Sequence, residues 1–577
     1  MTTKVLLGVG LVAAALFLIF LGNAPFLDPP EGIHAQIAWE MLRHGDWITP
    51  HLDGVPYFDK PPLLYWLMAA SFALLGPTEW AARIWSALAS VAVAMLTARL
   101  GMALGSPRLG LLAGLMVAAN LEVFLFGRMV KPDLLFVALI LLAFVGFVQA
   151  YAGEGGRRGL WLFYAGLGLA MLAKDILGAI GPLMAVALFF YLTRESRAWP
   201  RWVPWSGVAL LMVIAVPWYA LAEIHNRGFL WYTIVDNHLL NVARQRVFPD
   251  EDVPLSGLEF LGVTAAGFFP WVLALPAAVW RVFRRPWDSA EARLWMLLGL
   301  WTVGVIGFFT FSPFKLPHYG LPAFPAMALL VARQWDEALE GGPGAPSARA
   351  LLLPPLVVLV ALALVSLLAW RGTLALGPGA LSAVDVSTRN LAAQGQQASV
   401  DFLGQFRPLI GKLALIFGLG AAGVAAALWR RSPLVGAGAL LAVMVAFLPV
   451  SVEGLSVFAK GRSVRPMTDA ILLRLGPEDI LAHEGAIENS ASALISLNRQ
   501  LKIVNGVKSN LAFGSTFPEA RGVFWDGPAL AEAWRGPRRA FLLSTVRPDR
   551  SVMRDLPPGQ VHLLRAGGGR WLYSNRP

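Results

Sequence analysis

Cysteine is absent from the 577 residues, and charged side chains make up only 14% of them. The first absence excludes structural disulfides and Cys-ligated zinc or iron–sulfur centres. The second argues against one large soluble domain, where about a quarter of residues are charged. Apolar sequence fills the space: the composition is 57% hydrophobic, in repeated runs of roughly 18 residues or more, the length that crosses a bilayer. No dinucleotide fingerprint, P-loop or metalloprotease helix occurs in the chain. The net charge of +11 invites a nucleic-acid reading. In a membrane protein the same excess collects at the cytoplasmic ends of helices, so no nucleic-acid partner is expected.

The apolar runs predict a polytopic α-helical membrane protein with about thirteen transmembrane helices, from Val5–Leu21 to Leu434–Val450. The first run has no small-x-small cleavage site before Pro25 and reads as an uncleaved helix. With Lys4 inside, every second loop is basic; Arg157 with Arg158, Arg194 with Arg197 and Arg201, and Arg430 with Arg431 are examples. An odd helix count then places the tail beyond Val450 outside. The expected division is a membrane domain at 1–450, with large outer loops at 23–79 and 223–256, and a tail domain at 451–577. In the tail the apolar runs shorten to strand length, at 479–485, 501–506, 539–546 and 560–575, with helical patterns between them. That alternation predicts a small C-terminal α/β periplasmic domain, with Gly567-Gly568-Gly569 as a hairpin turn.

The stretch from Leu27 to Trp66 is polar between two apolar runs and far longer than a helix connection needs. Its spacing of Ile33, Ile37, Trp39, Met41 and Leu42 predicts a helix lying in the membrane interface. It carries Asp28, Glu31, Asp59 and Lys60. Three short outer loops break the charge rule with Arg128, Lys131 and Asp133, with Lys174 and Asp175, and with Lys315. Charge at a membrane boundary is a functional hypothesis by default. In the loop from Glu223 to Pro254, His238 and Arg244 are candidates for substrate contact, whereas Asp250, Glu251 and Asp252 read as a solvated face. The connection Arg371–Pro408 shows nothing resembling a site. Acids can take a proton from an attacking hydroxyl or amine, and cations can stabilise charge on a departing phosphate. The combination beside lipid fits group transfer from a lipid phosphate.

The run IAWEMLRHGDWITPHLDGVPYFDKPPLLYW resembles the first periplasmic loop of the bacterial aminoarabinose transferase and protein O-mannosyltransferase superfamily. GRMVKPD, LAKDILG and FSPFKLPHYGLPAFP extend the likeness. The resemblance implies an inverting membrane glycosyltransferase of the GT-C fold, in the bacterial inner membrane with a periplasmic site, using a polyprenyl (undecaprenyl) phosphate sugar. It implies that Lys60, Arg128, Lys174 and Lys315 hold the donor phosphate. Asp59, Tyr57, His238, Arg244 and Tyr319 would contact substrate. The acceptor would be lipid A, another glycolipid, a polysaccharide or a protein, and the enzyme would act as a monomer among membrane lipids. One departure stands out: the family's adjacent Asp-Glu pair falls on Pro30 and Glu31, and its Arg two residues later on Ile33. Glu31 is therefore expected as the base with Asp133 assisting, and Asp28 as a substitute reaching across Pro29 and Pro30. The plainer role for Glu31 is support of a helix N-terminus. No metal is expected as a fixed cofactor. His34, His44, His51 and His238 leave a divalent cation open, since none has a diagnostic spacing. The rival readings are a flippase for the same lipid and a non-catalytic lipid-phosphate-binding relative.

Overall fold

A computed structural model describes residues 2–153, 155–195, 199–248, 253–374, 389, 404–506 and 509–577. Arg197, Asp250, Glu251, Asp252 and most of the Arg371–Pro408 connection lie outside the described residues. The chain is a polytopic helical membrane protein with a small C-terminal sheet domain. Among the described residues seven helices are long and apolar enough to cross a membrane, and nine spans result if each of two bent pairs counts as one. The expected count of about thirteen also took in apolar helices such as Thr2–Leu18 and Leu177–Leu192, which are shorter than that. The bent pairs are Pro107–Ala118 with Leu121–Gly127, at 61°, and Gly257–Gly267 with Trp271–Arg284, at 111°. By apolarity alone, Leu109–Leu125 and Leu258–Phe283 each read as one straight span.

The chain folds as two compact units. The first contains Met1–Ile19, Trp85–Pro217 and Asp252–Gly454; the second contains Phe20–Ile84, Trp218–Glu251 and Leu455–Pro577. The polar outer loops thus group with the tail domain, and the helix Pro433–Arg462 runs through the expected boundary at 450.

In the first unit, helices Asp133–Tyr151 and Gly156–Ala173 pack face to face. Small residues make this possible. A Cβ on Gly146 would lie 2.5 Å from the Gly159 carbonyl, and one on Gly159 2.6 Å from the Gly146 carbonyl. Without a hydrophobic driving force inside lipid, such backbone approach is a main source of helix association.

In the second unit, the helix Pro30–His44 is buried over almost all of its first three turns. It packs on Leu63–Leu75 and on the short helix Ser492–Leu497. An interfacial helix would have kept a polar face in water; here that face meets protein instead. The loop continues through a two-residue hairpin, β1 (His51–Leu52) and β2 (Val55–Pro56). The tail holds a six-stranded sheet of β3 (Ile480–Glu484), β4 (Lys502–Val504), β5 (Phe524–Trp525), β6 (Ala540–Ser544), β7 (His562–Gly567) and β8 (Arg570–Ser574). Their order is β5-β4-β3-β6-β8-β7, parallel from β5 to β6 and antiparallel beyond. Ala482, Val504, Leu542, Trp534 and Tyr573 form its core. Gly568 and Gly569, at φ +60° and +73°, make the β7–β8 turn, a conformation that favours glycine.

Candidate functional site

In the second unit, Asp59 and Lys60 follow β2 directly. Lys60 Nζ donates to Asp59 Oδ2 at 2.9 Å and to the Asp59 carbonyl at 3.2 Å, and Tyr57 Oη donates to Asp59 Oδ2 at 3.3 Å. The Lys60 and Asp59 side chains keep 25% and 28% of their surface exposed, against 2% for Glu31. Both are thus open to a ligand, unlike Glu31. Burial works to raise the Asp59 carboxyl, but the charge and hydrogen bond of Lys60, then the charges of His34 and Arg246, hold it below its ordinary value. His34 Nδ1 lies 3.1 Å from Tyr65 Oη.

The segment after Phe229 supplies the other side chains. Trp231–Leu240 is a π-helix, a form that is rare and frequent at functional sites. Within it Asp236 accepts from the Val247 amide at 2.6 Å and from Arg246 Nε at 3.3 Å, while Arg246 also donates to the Asn237 side chain. His238 Nδ1 meets the Thr233 carbonyl at 2.7 Å. Arg244, by contrast, is exposed and has a left-handed backbone, φ +57°. Arg246, two residues on, is the arginine whose charge acts on Asp59. Tyr232 stacks on Phe513 at 4.5 Å, and Phe58 touches Phe229, Phe513 and Phe517, so an aromatic cluster joins both loops to the tail domain.

Glu31 and Asp28, the other two candidate acids of the first loop, have structural partners. Glu31 takes a two-pronged contact from Arg83, with Nε to Oε1 at 2.8 Å and Nη2 to Oε2 at 2.7 Å, and a third bond from the Leu27 amide at 2.9 Å. Arg83 further donates to the carbonyls of Leu21, Ala24 and Pro25. Bidentate, charge-assisted and dry, this pair fixes the path of the chain into the loop helix. Asp28 accepts from the Ser492 amide at 3.0 Å and the Ser492 hydroxyl at 2.5 Å, with burial raising its carboxyl. Both acids were expected to handle the acceptor proton; their oxygens are committed to holding the loop and tail domain together. Sequence reasoning missed Arg83 and Ser492. A lone arginine in the first turn of an apolar span was the available signal for Arg83.

In the first unit, Asp133 begins a membrane-spanning helix. Lys174 Nζ donates to its Oδ1 at 2.5 Å, and His318 Nε2 is 3.6 Å from the same oxygen. The Lys174 ammonium also lies over the rings of Tyr319, at 5.0 Å, and Phe136, at 5.4 Å. The motifs GRMVKPD, LAKDILG and HYGLP therefore meet in one buried cluster of Asp133, Lys174, His318 and Tyr319. His318 was not singled out from sequence; its place beside Tyr319 in that motif was the signal.

Arg128 and Lys315 are placed differently from expectation. Arg128 donates to the carbonyls of Leu16, Phe17 and Ile19 at 2.7, 3.1 and 2.8 Å, closing the end of helix Thr2–Leu18. Lys315 Nζ donates to the carbonyls of Thr310 and Ser312 at 3.3 and 2.7 Å, closing helix Ala290–Phe311. Terminal carbonyls lack partners within their own helix, and buried cations satisfy them well. That explains two of the charges that break the topology rule. Among the described residues no group of three or more His, Asp or Glu is arranged to hold a metal ion.

A family model for dolichyl-phosphate-mannose-protein mannosyltransferase matches residues 33–233. An undecaprenyl phosphate-alpha-4-amino-4-deoxy-L-arabinose arabinosyl transferase of Sodalis glossinidius is 31% identical over 56% of this chain and 59% of its own length. One from Pseudomonas aeruginosa is 31% identical over 58% and 60%. The aligned part thus spans about three-fifths of these curated relatives. The crystal structure of ArnT from Cupriavidus metallidurans bound to undecaprenyl phosphate superposes with a TM-score of 0.80 at 22% identity, covering 100% of this chain and 98% of that one. The chain shares the GT-C fold of that structure.

Proposed function

We propose that the protein is an inverting glycosyltransferase that moves a sugar from polyprenyl phosphate to an acceptor on the outer face of the bacterial inner membrane. The observation that carries this reading is the Asp59–Lys60 pair: a part-exposed cation beside an acid held ionised, within the motif that resembles the first loop of the transferase superfamily. Lys60 and Arg246 bind the donor phosphate, with Asp59, itself bonded by Tyr57, orienting Lys60. Asp133 takes the acceptor proton, since Lys174 and His318 both approach Oδ1 and leave Oδ2 for a substrate hydroxyl. The acceptor oxygen bonds to the anomeric carbon as the bond from that carbon to the phosphate oxygen breaks. The electron pair leaves with polyprenyl phosphate, and the acceptor proton passes to the carboxylate. Mass spectrometry of glycolipids and glycoproteins from cells with and without the gene tests this: one sugar-modified species disappears with the gene, and identical profiles contradict it.

A second reading, a relative that binds the lipid phosphate without turnover, draws on Pro30 at the family's acidic position and on the Glu31–Arg83 lock. Donor binding without transfer by the purified protein is its signature.

A further inference from the structure

A cavity of about 540 Å³ opens within the second unit, with neither Asp59 nor Lys60 in its lining. Its walls come from the chain after the first helix, the N-terminus of Glu79–Leu104, the end of Pro433–Arg462, the short helix Arg465–Leu472 and strand β7. Three cations line it, Lys460, Arg465 and Arg565, against two carboxylates, Glu79 and Asp469. Arg465 is engaged: Nη2 donates to Glu79 Oε1 at 2.8 Å. Lys460 and Arg565 are exposed and make no side-chain hydrogen bond or ion pair among the described residues. With Asp469 as the only other carboxylate in the lining, the cavity carries an excess positive charge.

Its depth in the membrane can be read from its neighbours. Glu79 is the first residue of an apolar span. Gly22, in the cavity wall, packs on the next residue: a Cβ there would stand 3.1 Å from Trp80 Cβ. Trp80 is 39% exposed, and tryptophan at the end of a span marks the headgroup level. Leu473, also in the cavity lining, is 82% exposed, directly after a helix whose other face is buried. Uncommitted cations in a concavity, flanked by exposed apolar side chains at the level of the headgroups, make a site for a lipid phosphate. A volume of this size falls within the range of small-ligand pockets.

We propose that this pocket binds the phosphodiester headgroup of an anionic membrane phospholipid, with Lys460 and Arg565 as the contacts to phosphate. The site is separate from the transferase reading and does not depend on it. The test is native mass spectrometry of the full-length protein in detergent, titrated with phosphatidylglycerol, phosphatidylcholine or inorganic phosphate. Phosphatidylglycerol should bind saturably and more tightly than phosphatidylcholine. Lys460→Glu with Arg565→Glu should weaken that binding by at least about tenfold, with the milder Lys460→Gln and Arg565→Gln pair in between. Both side chains are exposed, so the melting temperature should not move. Equal binding of the two lipids, unchanged binding by both double variants, or displacement of the lipid by millimolar inorganic phosphate overturns the proposal.

Discussion

Replacing Glu31 with glutamine distinguishes a proton acceptor from a structural anchor, because the two roles respond to different measurements. The carboxylate accepts three hydrogen bonds, two of them from the Arg83 guanidinium. A glutamine has one acceptor oxygen, so at least one arginine N–H loses its partner and the guanidinium loses its counter-charge. Charge-assisted bonds contribute about 1.5–3 kcal/mol each, and removing one member of a buried pair costs about 3–5 kcal/mol. Glu31→Gln should therefore destabilise by about 3 kcal/mol, and Arg83→Ala, which strands both the carboxylate and three carbonyls, by about 5 kcal/mol. The double variant Glu31→Leu with Arg83→Met should lose less than the sum, because no uncompensated charge remains. The assay is thermal unfolding in detergent, run beside donor binding. If Glu31→Gln melts like the parent while transfer vanishes, the anchor argument is wrong and Glu31 is the base after all.

Lys60→Ala should weaken binding of a polyprenyl-phosphate donor by about tenfold or more, with partial recovery in Lys60→Arg, as measured by a lipid-phosphate binding assay. Gly32→Ala should loosen the tail domain, since the new Cβ would fall 2.0 Å from Asp28 Oδ1 and 2.5 Å from the Ser492 amide; limited proteolysis should show faster cleavage, at a cost of about 1–3 kcal/mol or more. Burial lifts Glu40 from 4.5 to about 6, against the hydrogen bonds it receives from Gln36 and the Gly54 and Asp53 amides. A carboxyl raised on folding favours the folded state at low pH. That contribution, about 2 kcal/mol from the size of the shift, is complete below pH 4.5 and lost as pH rises through 6. Glu40→Gln should flatten this window in a melting-temperature series, and an unchanged pH profile would count against it. Asp133→Asn should reduce transfer by about a hundredfold or more while leaving donor binding intact.

Membrane spans and the alternation of the tail are carried by local composition, so the helical membrane domain and the small sheet domain were legible in the sequence alone. Strands β3, β4 and β6 and the β7–β8 hairpin fall inside the four runs read as strand-like, because a buried parallel strand is a short apolar run wherever it occurs. The two-residue β5 was missed; so short a strand has no period to detect. The motif likeness singled out Asp59, Lys60, Asp133 and Lys174 as candidates. It could not assign the charges their partners. Glu31 and Arg83 are 52 residues apart, and Asp28 and Ser492 are 464 apart. Arg128 and Lys315 looked functional since they violate a topology rule, yet each closes a helix end, a need that depends on where the chain turns and not on its composition. The amphipathic spacing of Pro30–His44 predicts an interfacial helix; instead Glu31 meets Arg83, Glu40 meets the Asp53 and Gly54 amides, and Trp39 and Arg43 meet Asn498, more than four hundred residues away.

Transfer by the purified protein in detergent is the most direct measurement of the central claim, because it removes the two-sided membrane that a flippase would need. Given an undecaprenyl phosphate-linked sugar and a glycolipid or protein acceptor, the account predicts an acceptor heavier by one sugar residue and release of undecaprenyl phosphate, both sharply reduced in Lys60→Ala. Should neither this donor nor any other polyprenyl-phosphate sugar, offered with glycolipid and protein acceptors, give a product while the donor still binds, the protein is not a transferase.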